Sequence, residues 1–446
     1  MGLKKLALSC FMLLLVLLAR TGLATEVQGR VLFGGYFAKE NFAASEATGG
    51  STRNDFATGS GRLYLNATKI SDREFQFTLD MRDRHDFFDK LDRERATLTA
   101  LNTPQARTVV ARYPNEDGRL YFSLGRFGVP QAGAVFTDGA EIGLHWSNAL
   151  SSGIFGGRNP KQDDRSDLEF NPAASVFGAY LEYAPKRQLP GNAVFWTQAI
   201  SAKQNSGHLD RLYLFENFSL TKPSDLFTGV AYFDFVPRFS VQNLNLMYQR
   251  RFFEQFQASI GGAAIDVIEY SRRRGVLERL SPSAYQEAAV RTEYEFASIV
   301  SLELALSHGR RQSDGLFRQE AALKGTFSSE SYRALGGHLR FGYRNNFTSQ
   351  DLFVGLGAEY YSDVWELGLT EDFQIQKYHD TEVLHPLISE INVARYLSQT
   401  LFTSASAQYA FNERVGIFSG FLKVGYRFGT QKGAPSRDAT YRLERL

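Results

Sequence analysis

The sequence predicts a single transmembrane antiparallel β-barrel of about 22 strands, within a range of roughly 18–22. Three observations lead there. The chain opens on an export signal. Beyond that signal, apolar and polar residues alternate with a two-residue period along nearly the whole length. Nowhere after the signal does an apolar run reach the roughly 20 residues that a spanning helix requires.

The export signal reads in three parts. Lys4 and Lys5 form a charged start, Leu6 to Leu18 form the apolar run, and Gly22-Leu23-Ala24 supplies small residues for a cut before Thr25. A retained anchor would need a longer run, and Arg20 interrupts this one. Too few apolar residues precede Cys10 for a lipoprotein signal. The expected division is therefore a signal peptide over 1–24, a barrel over 25–429 and a polar periplasmic tail over 430–446. Cys10 is the only cysteine, so its removal excludes disulfides, thiolate metal sites, iron–sulfur clusters and covalently attached haem.

Composition narrows the class further. The 50 basic and 48 acidic residues give a formal charge of +2. Loss of Lys4, Lys5 and Arg20 takes this to about −1, which leaves no electrostatic footprint for nucleic acid. The chain carries 37 Phe and 21 Tyr, yet its mean hydropathy is −0.28. A barrel accepts both facts, because only alternate residues meet lipid.

Individual strands show the period clearly. Phe75, Phe77, Leu79 and Met81 alternate with Glu74, Gln76, Thr78, Asp80 and Arg82, so each set takes one face of a strand. Val290, Thr292, Tyr294 and Phe296 alternate with Arg291, Glu293 and Glu295. Leu302, Leu304 and Leu306 alternate with Ser301, Glu303 and Ser307. Further strands are read at Arg62–Ile70, Arg119–Phe127, Val176–Tyr183, Asn243–Arg250, Gly336–Tyr343, Leu352–Tyr360 and Trp365–Gln376, with weaker segments at Gln105–Tyr113 and Leu384–Leu397. Tight links at Ser71-Asp72, Ser147-Asn148, Thr221–Ser224, Ala297–Ile299, Ser362-Asp363 and Ser398-Gln399 come after every second strand, as short periplasmic turns should. The longer links Glu40–Asn54, Asp86–Thr103, Asn159–Asn171 and Ser271–Ser283 are then extracellular.

Two motifs carry a family resemblance. Phe421–Phe428 alternates apolar residues and ends in an aromatic, and so resembles the last-strand signal of bacterial outer-membrane proteins; here Phe428 is followed by the tail. Leu124-Gly125-Arg126-Phe127-Gly128-Val129-Pro130, with Asp138-Gly139 beyond it, resembles porin-like outer-membrane barrels. In that pattern a Gly-Arg strand end leads into a Pro/Gly-rich connection, and Asp-Gly opens the next strand. Gly and Pro suit a compact turn, and Asp138-Gly139 permits the chain to reverse. The resemblance implies a porin-like protein integral to the outer membrane of a Gram-negative bacterium.

The strand faces assign candidate lumen residues. Arg62, Glu74, Asp80, Arg82, Arg84, Arg291, Glu293, Glu295, Arg318, Glu320, Lys324, Arg340, Arg344, Glu359, Glu366 and Asp372 alternate with Leu, Phe, Val, Ala and Tyr. A lipid-facing Arg or Lys at the midplane costs about 2–4 kcal/mol, so the charged face should point inward. Both signs are mixed without a ladder of either, which suits a polar path for hydrophilic solutes or a set of bracing salt bridges. A barrel of this strand number is wide and usually plugged. The candidate constriction is Asp86–Thr103, with Asp89, Asp92, Arg93, Glu94 and Arg95 on a short helix that Asp89 caps and Pro104 ends. An exposed extracellular helix is the other reading. Arg272-Arg273-Arg274 is either a solvated charge run or an anion-gathering cluster facing lipopolysaccharide. Trp146, Trp196 and Trp365 suit interfacial girdles.

An enzyme is the rival class. None of the seven histidines sits in a Gly-x-Ser-x-Gly elbow or a His-Glu-x-x-His helix, so neither catalytic residues nor a metal nor a cofactor are assigned. The expected function is passive diffusion of small hydrophilic solutes through a mixed-charge lumen. The alternative is a scaffold that houses or docks a partner protein, with an outer-membrane hydrolase behind both. Outer-membrane lipid and lipopolysaccharide are the expected surroundings, and a homo-oligomer or a periplasmic partner is compatible with the sequence.

Overall fold

The computed structural model describes residues 24–429 apart from 43–51, 71–72, 87–104, 115–118, 134, 161–173, 186–191, 237–238, 266–283, 298, 313, 330–334, 348, 363 and 379–381. The expected signal segment, but for Ala24, and the tail 430–446 lie outside the described residues.

The wall begins with β1 (Ala24–Phe42), β2 (Thr52–Ile70), β3 (Gln76–Asp86), β4 (Gln105–Tyr113), β5 (Leu120–Val129) and β6 (Val135–His145). It continues through β7 (Leu150–Arg158), β8 (Ala174–Tyr183), β9 (Ala193–Asn205), β10 (His208–Thr221), β11 (Asp225–Val236) and β12 (Ser240–Phe253). Next come β13 (Phe256–Ile265), β14 (Tyr285–Ala297), β15 (Val300–Arg311), β16 (Phe317–Ser328), β17 (Leu335–Asn345) and β18 (Ser349–Tyr361). The last are β19 (Trp365–Tyr378), β20 (Val383–Leu384), β21 (Leu387–Tyr396), β22 (Leu401–Phe411) and β23 (Val415–Gly429).

Each strand pairs antiparallel with its neighbour in sequence, and β1 closes the ring on β23 from Gln28 opposite Gly429 to Phe42 opposite Val415. β20 and β21 both pair with β19, through Leu384 opposite Gln376 and Leu387 opposite Phe373. They are one wall strand broken at His385-Pro386, where proline has no N–H to give the ladder. The barrel thus has 22 wall strands, as the alternation predicts, and both weak segments are strands within it. Two boundaries differ from the sequence reading. β2 starts at Thr52 rather than Arg62, and Glu74 lies in the turn before β3 rather than within it.

Register sorts the two faces. Ile260, Val290 and Leu306 lie opposite one another on β13, β14 and β15, and all three are exposed. Leu339 and Leu356 continue that outer face on β17 and β18. Outer carboxylates interrupt it, Glu216 and Glu371 among them: Gln198 Nε2 donates to Glu216 at 2.7 Å and Ser389 Oγ to Glu371 at 2.6 Å. Trp146, Trp196 and Trp365 all sit at the end that carries the short turns, where Arg395 stacks on Trp365 at 4.9 Å. A closed ring wearing an apolar belt satisfies every ladder group without an edge; the chain is an integral outer-membrane β-barrel.

Candidate functional site

The inner wall has two unlike halves, and the hairpin β5–β6 makes the difference. β5 pairs with β4 only as far as Arg126, opposite Val109. β6 pairs with β7 only as far as Asp138, opposite Arg158. Beyond those points Phe127–Val129 and Val135–Thr137 pair with each other alone. The tip is a single 3-10 turn, Pro130–Ala132, closed by Gly133 N donating to Pro130 O at 3.1 Å.

That tip points into the barrel. Thr197 of β9 donates to Gln131 O at 3.2 Å, and Tyr232 of β11 donates its hydroxyl to Gly133 O at 3.1 Å. β11 stands five strands round the wall from β6, roughly 24 Å at about 4.8 Å per strand. Only a hairpin that leaves the wall can reach it. Phe127, Val129 and Ala132 are 0% exposed, packed among Val110, Phe155, Val176, Tyr180, Ala199, Tyr213 and Phe215.

The sequence motif explains the departure. Gly125, Gly139 and Gly157 lie opposite one another on β5, β6 and β7. Gly125 has φ +126°, and a Cβ there would sit 2.1 Å from Val109 O; a Cβ on Gly139 would sit 2.0 Å from Gly156 O. Neither position admits a side chain. Beside them Arg126 grips Asp138 with two bonds of 2.6 and 2.7 Å and donates to Ala106 O at 3.0 Å. Their side chains are 12% and 3% exposed, and removing one partner of a fully buried pair costs about 3–5 kcal/mol, an upper bound here. The sequence reading of this motif is corrected in two respects. The connection is compact but runs inside the lumen, and the chain reverses at Pro130–Gly133 while Asp138-Gly139 lies within β6.

Below the hinge a polar network fixes the root. Tyr121 and Tyr180 lean over Gly143 and Gly153 to meet hydroxyl to hydroxyl at 2.7 Å. Tyr180 donates to Glu141 at 2.6 Å and Ser123 donates to the other oxygen at 2.9 Å. None of this was foreseen from the sequence. The available signal was the run of apolar residues on the inward phase of adjacent strands, Val176, Tyr180, Ala199, Tyr213 and Phe215, where a water-filled lumen would want polar ones.

The other half of the inner wall carries most of the charged candidates. Arg62 makes two 2.8 Å bonds to Asp80. Arg82 is opposite Arg62, and Arg84 occupies the register position opposite Ser60. Arg291 pairs with Glu303 at 3.0 Å, while Gln257 donates to Glu293 at 2.6 Å and Glu295 lies opposite Ser301. Arg318 stands between Glu287 at 3.8 Å and Glu320 at 3.3 Å. Lys324 is opposite both Glu303 and Arg340. Arg340 reaches Asp372 at 3.0 Å across Gly355, where a Cβ would collide with the carboxylate. Arg344 holds the fully buried Asp351 at 2.9 Å. Phe353 lies under both guanidinium groups, 5.2 and 5.9 Å from its centroid. Tyr361 donates to Glu359, and Tyr396 donates to Glu366 at 2.9 Å. Glu74, in its turn, has one oxygen buried without a partner.

Asp89, Asp92, Arg93, Glu94 and Arg95, and likewise Arg272 to Arg274, lie outside the described residues. Among the described residues no cluster of His, Cys, Asp and Glu could hold a metal. The element that enters the lumen in the described residues is the hairpin tip, and the charged candidates stand on strands away from it.

No family model and no curated protein matches the chain. Solved structures resemble it weakly. They include Acinetobacter baumannii OccAB4 (10% identity, 91% of this chain and 99% of that one, TM-score 0.46). Pseudomonas aeruginosa OccK9 (OpdG) is 10% identical over 92% of this chain and 100% of its own, TM-score 0.47. A BenF-like porin from Pseudomonas fluorescens Pf-5 is 9% identical with the same coverages, TM-score 0.47.

Proposed function

We propose that this barrel is a porin-like channel through which small hydrophilic solutes diffuse passively. A ring of 22 strands spaced about 4.8 Å and tilted about 40° is on the order of 40 Å across, backbone to backbone. One side of that ring is roofed by the hairpin. The observation that carries the reading is the other side: Arg62–Asp80, Arg291–Glu303, Arg340–Asp372 and Arg344–Asp351 pair across strands on the lumen face. Pairing keeps both signs present without a net field, and hydrated charge favours water over lipid along that half of the wall. The hairpin is the constriction, and solutes pass between its outer surface and the charged strands. The reading gives the chain no chemical step.

The width of the ring supports one second reading, a scaffold that a partner protein fills. Swelling of liposomes containing the purified barrel separates the two. Uptake of small neutral sugars by the barrel alone, falling steeply with solute size, supports the channel; a co-purifying protein that blocks uptake, with passage of large solutes once it is removed, supports the scaffold.

A further inference from the structure

The outer face of β14–β19 changes character abruptly at the end with the longer connections. On β15 the outward residues Leu302, Leu304 and Leu306 give way to His308 and Arg310. Arg310 stands about 25 Å above the start of its strand, at about 3.3 Å per residue and a tilt of about 40°. That is the height of the apolar belt of such barrels, about 25 Å. From His308 a row of outward residues crosses the neighbouring strands in register: Gln319, Asn345, Gln350 and Lys377. The row holds an imidazole, amides and the ammonium of Lys377, and no carboxylate.

Its strongest point is preorganised. Phe317 lies opposite Arg310, with the guanidinium carbon 5.7 Å from the ring centroid. The His308 ring packs on the same Phe317 at 5.3 Å. Gln319 Nε2 lies 3.2 Å from His308 Nδ1; with the amide donating, the imidazole hydrogen sits on Nε2, available to an acceptor. One exposed aromatic thus holds two donors side by side. At other connections on this end the arginines are answered by carboxylates, Arg311 by Asp314 and Arg414 by Glu382, and the His385 ring meets Glu413. Among the described residues neither Arg310 nor Lys377 forms an ion pair.

We propose that this collar docks the phosphate groups of the surrounding outer-leaflet lipid, with Arg310 as the principal phosphate ligand and His308, Gln319 and Lys377 beside it. A guanidinium binds phosphate through two parallel N–H bonds. The belt argues for lipid over free phosphate, since a lipid held at the collar lays its acyl chains on Leu302, Leu304 and Leu306 directly below. It also places β14–β19 against lipid rather than against another copy of the chain.

The test uses the purified full-length barrel in neutral detergent, titrated with bisphosphorylated lipid A, with the same lipid stripped of phosphate, and with inorganic phosphate. Bound lipid is counted by native mass spectrometry. Binding of the phosphorylated lipid should be about tenfold weaker in Arg310→Gln, a loss of one charge-assisted contact, and weaker again with Lys377→Gln added. Arg395→Gln, a cation at the opposite end, should bind as the unaltered chain does. Equal binding of both lipids, or an unchanged affinity in the double variant, would overturn the proposal. Equally tight inorganic phosphate would make the collar a free-anion site instead and overturn it too. Heat-modifiable gel mobility confirms that each variant is folded; Lys377→Gln alone serves if Arg310→Gln is not. Conductance of the same variants should not change, so its loss would bear on the channel and not on the collar.

Discussion

Gly133 is the position where one methyl group tests whether the hairpin is docked as described. Its φ of +70° lies in the left-handed region, where alanine costs about 1 kcal/mol more than glycine. A Cβ there would stand 2.2 Å from the Tyr232 hydroxyl and 2.8 Å from two ring carbons. Tyr232 would have to withdraw, losing its 3.1 Å bond to Gly133 O, worth about 1 kcal/mol. Gly133→Ala should therefore weaken docking by about 2–3 kcal/mol, or about 30- to 150-fold in the docking equilibrium. Tyr232→Phe alone removes the bond, about 1 kcal/mol, and also the closest clash. In that background Gly133→Ala has no bond left to break, although the ring carbons must still give way, so the two changes should couple by about 1 kcal/mol, the bond they share. The assay is the labelling rate of Ala132→Cys by an impermeant thiol reagent. Ala132 is fully buried, and the only native cysteine is Cys10. Strictly additive effects, or a rate indifferent to Gly133→Ala, would refute a tip seated on β11.

The same geometry sets three further outcomes. Gly139→Ala places a methyl against the Gly156 carbonyl, a rigid backbone atom, and should cost more than about 4 kcal/mol, seen as loss of the heat-modifiable folded band. Asp372→Asn releases Arg340 from its 3.0 Å pair and should raise anion over cation permeability about twofold, read from the reversal potential across a salt gradient. The third concerns the turn between β22 and β23, where Glu413 accepts from His385 N at 2.9 Å and from its ring at 2.6 Å. The backbone bond first, then the ring bond, lowers the Glu413 pKa to about 2. A depressed carboxylate stabilises fully above its unfolded value of about 4.3 and loses that contribution as pH falls through about 2. Protection of the His385 amide from hydrogen exchange, taken relative to the intrinsic rate at each pH, should accordingly fall across that window in the native chain, and be low at every pH in Glu413→Gln.

The strands and their faces were legible because each side of the wall meets a different solvent, so the two-residue period is imposed everywhere the belt runs. Where neither side meets lipid the signal fades. The link read at Glu40–Asn54 is too long and the strand read at Arg62–Ile70 too short, because Thr52–Gly61, with four Thr, Ser or Asn residues and two glycines, carries little apolar alternation yet pairs with Phe33–Phe42 as the first half of β2. The partners of the lumen charges were not legible. Arg62 binds Asp80 although Arg82 is directly opposite it, a choice made by register and side-chain reach rather than by composition. The inward hairpin was misread for a different reason. Leu120, Phe122 and Leu124 put the apolar phase of β5 outward, whereas Phe127 and Val129 put it inward; that switch at Gly125-Arg126 went unread, and the apolar inner phase of β8 to β10 records what covers them. The Gly-Arg and Asp-Gly pairs were visible as a motif, but their roles as hinge and clamp depend on facing each other across two strands.

Single-channel current through the purified barrel in a planar lipid bilayer tests the central claim most directly. A channel lined on one side by paired charge and narrowed by a fixed hairpin predicts stable, stepwise openings with weak selectivity between small cations and anions. Persistent silence from a barrel shown to be folded and inserted would contradict it.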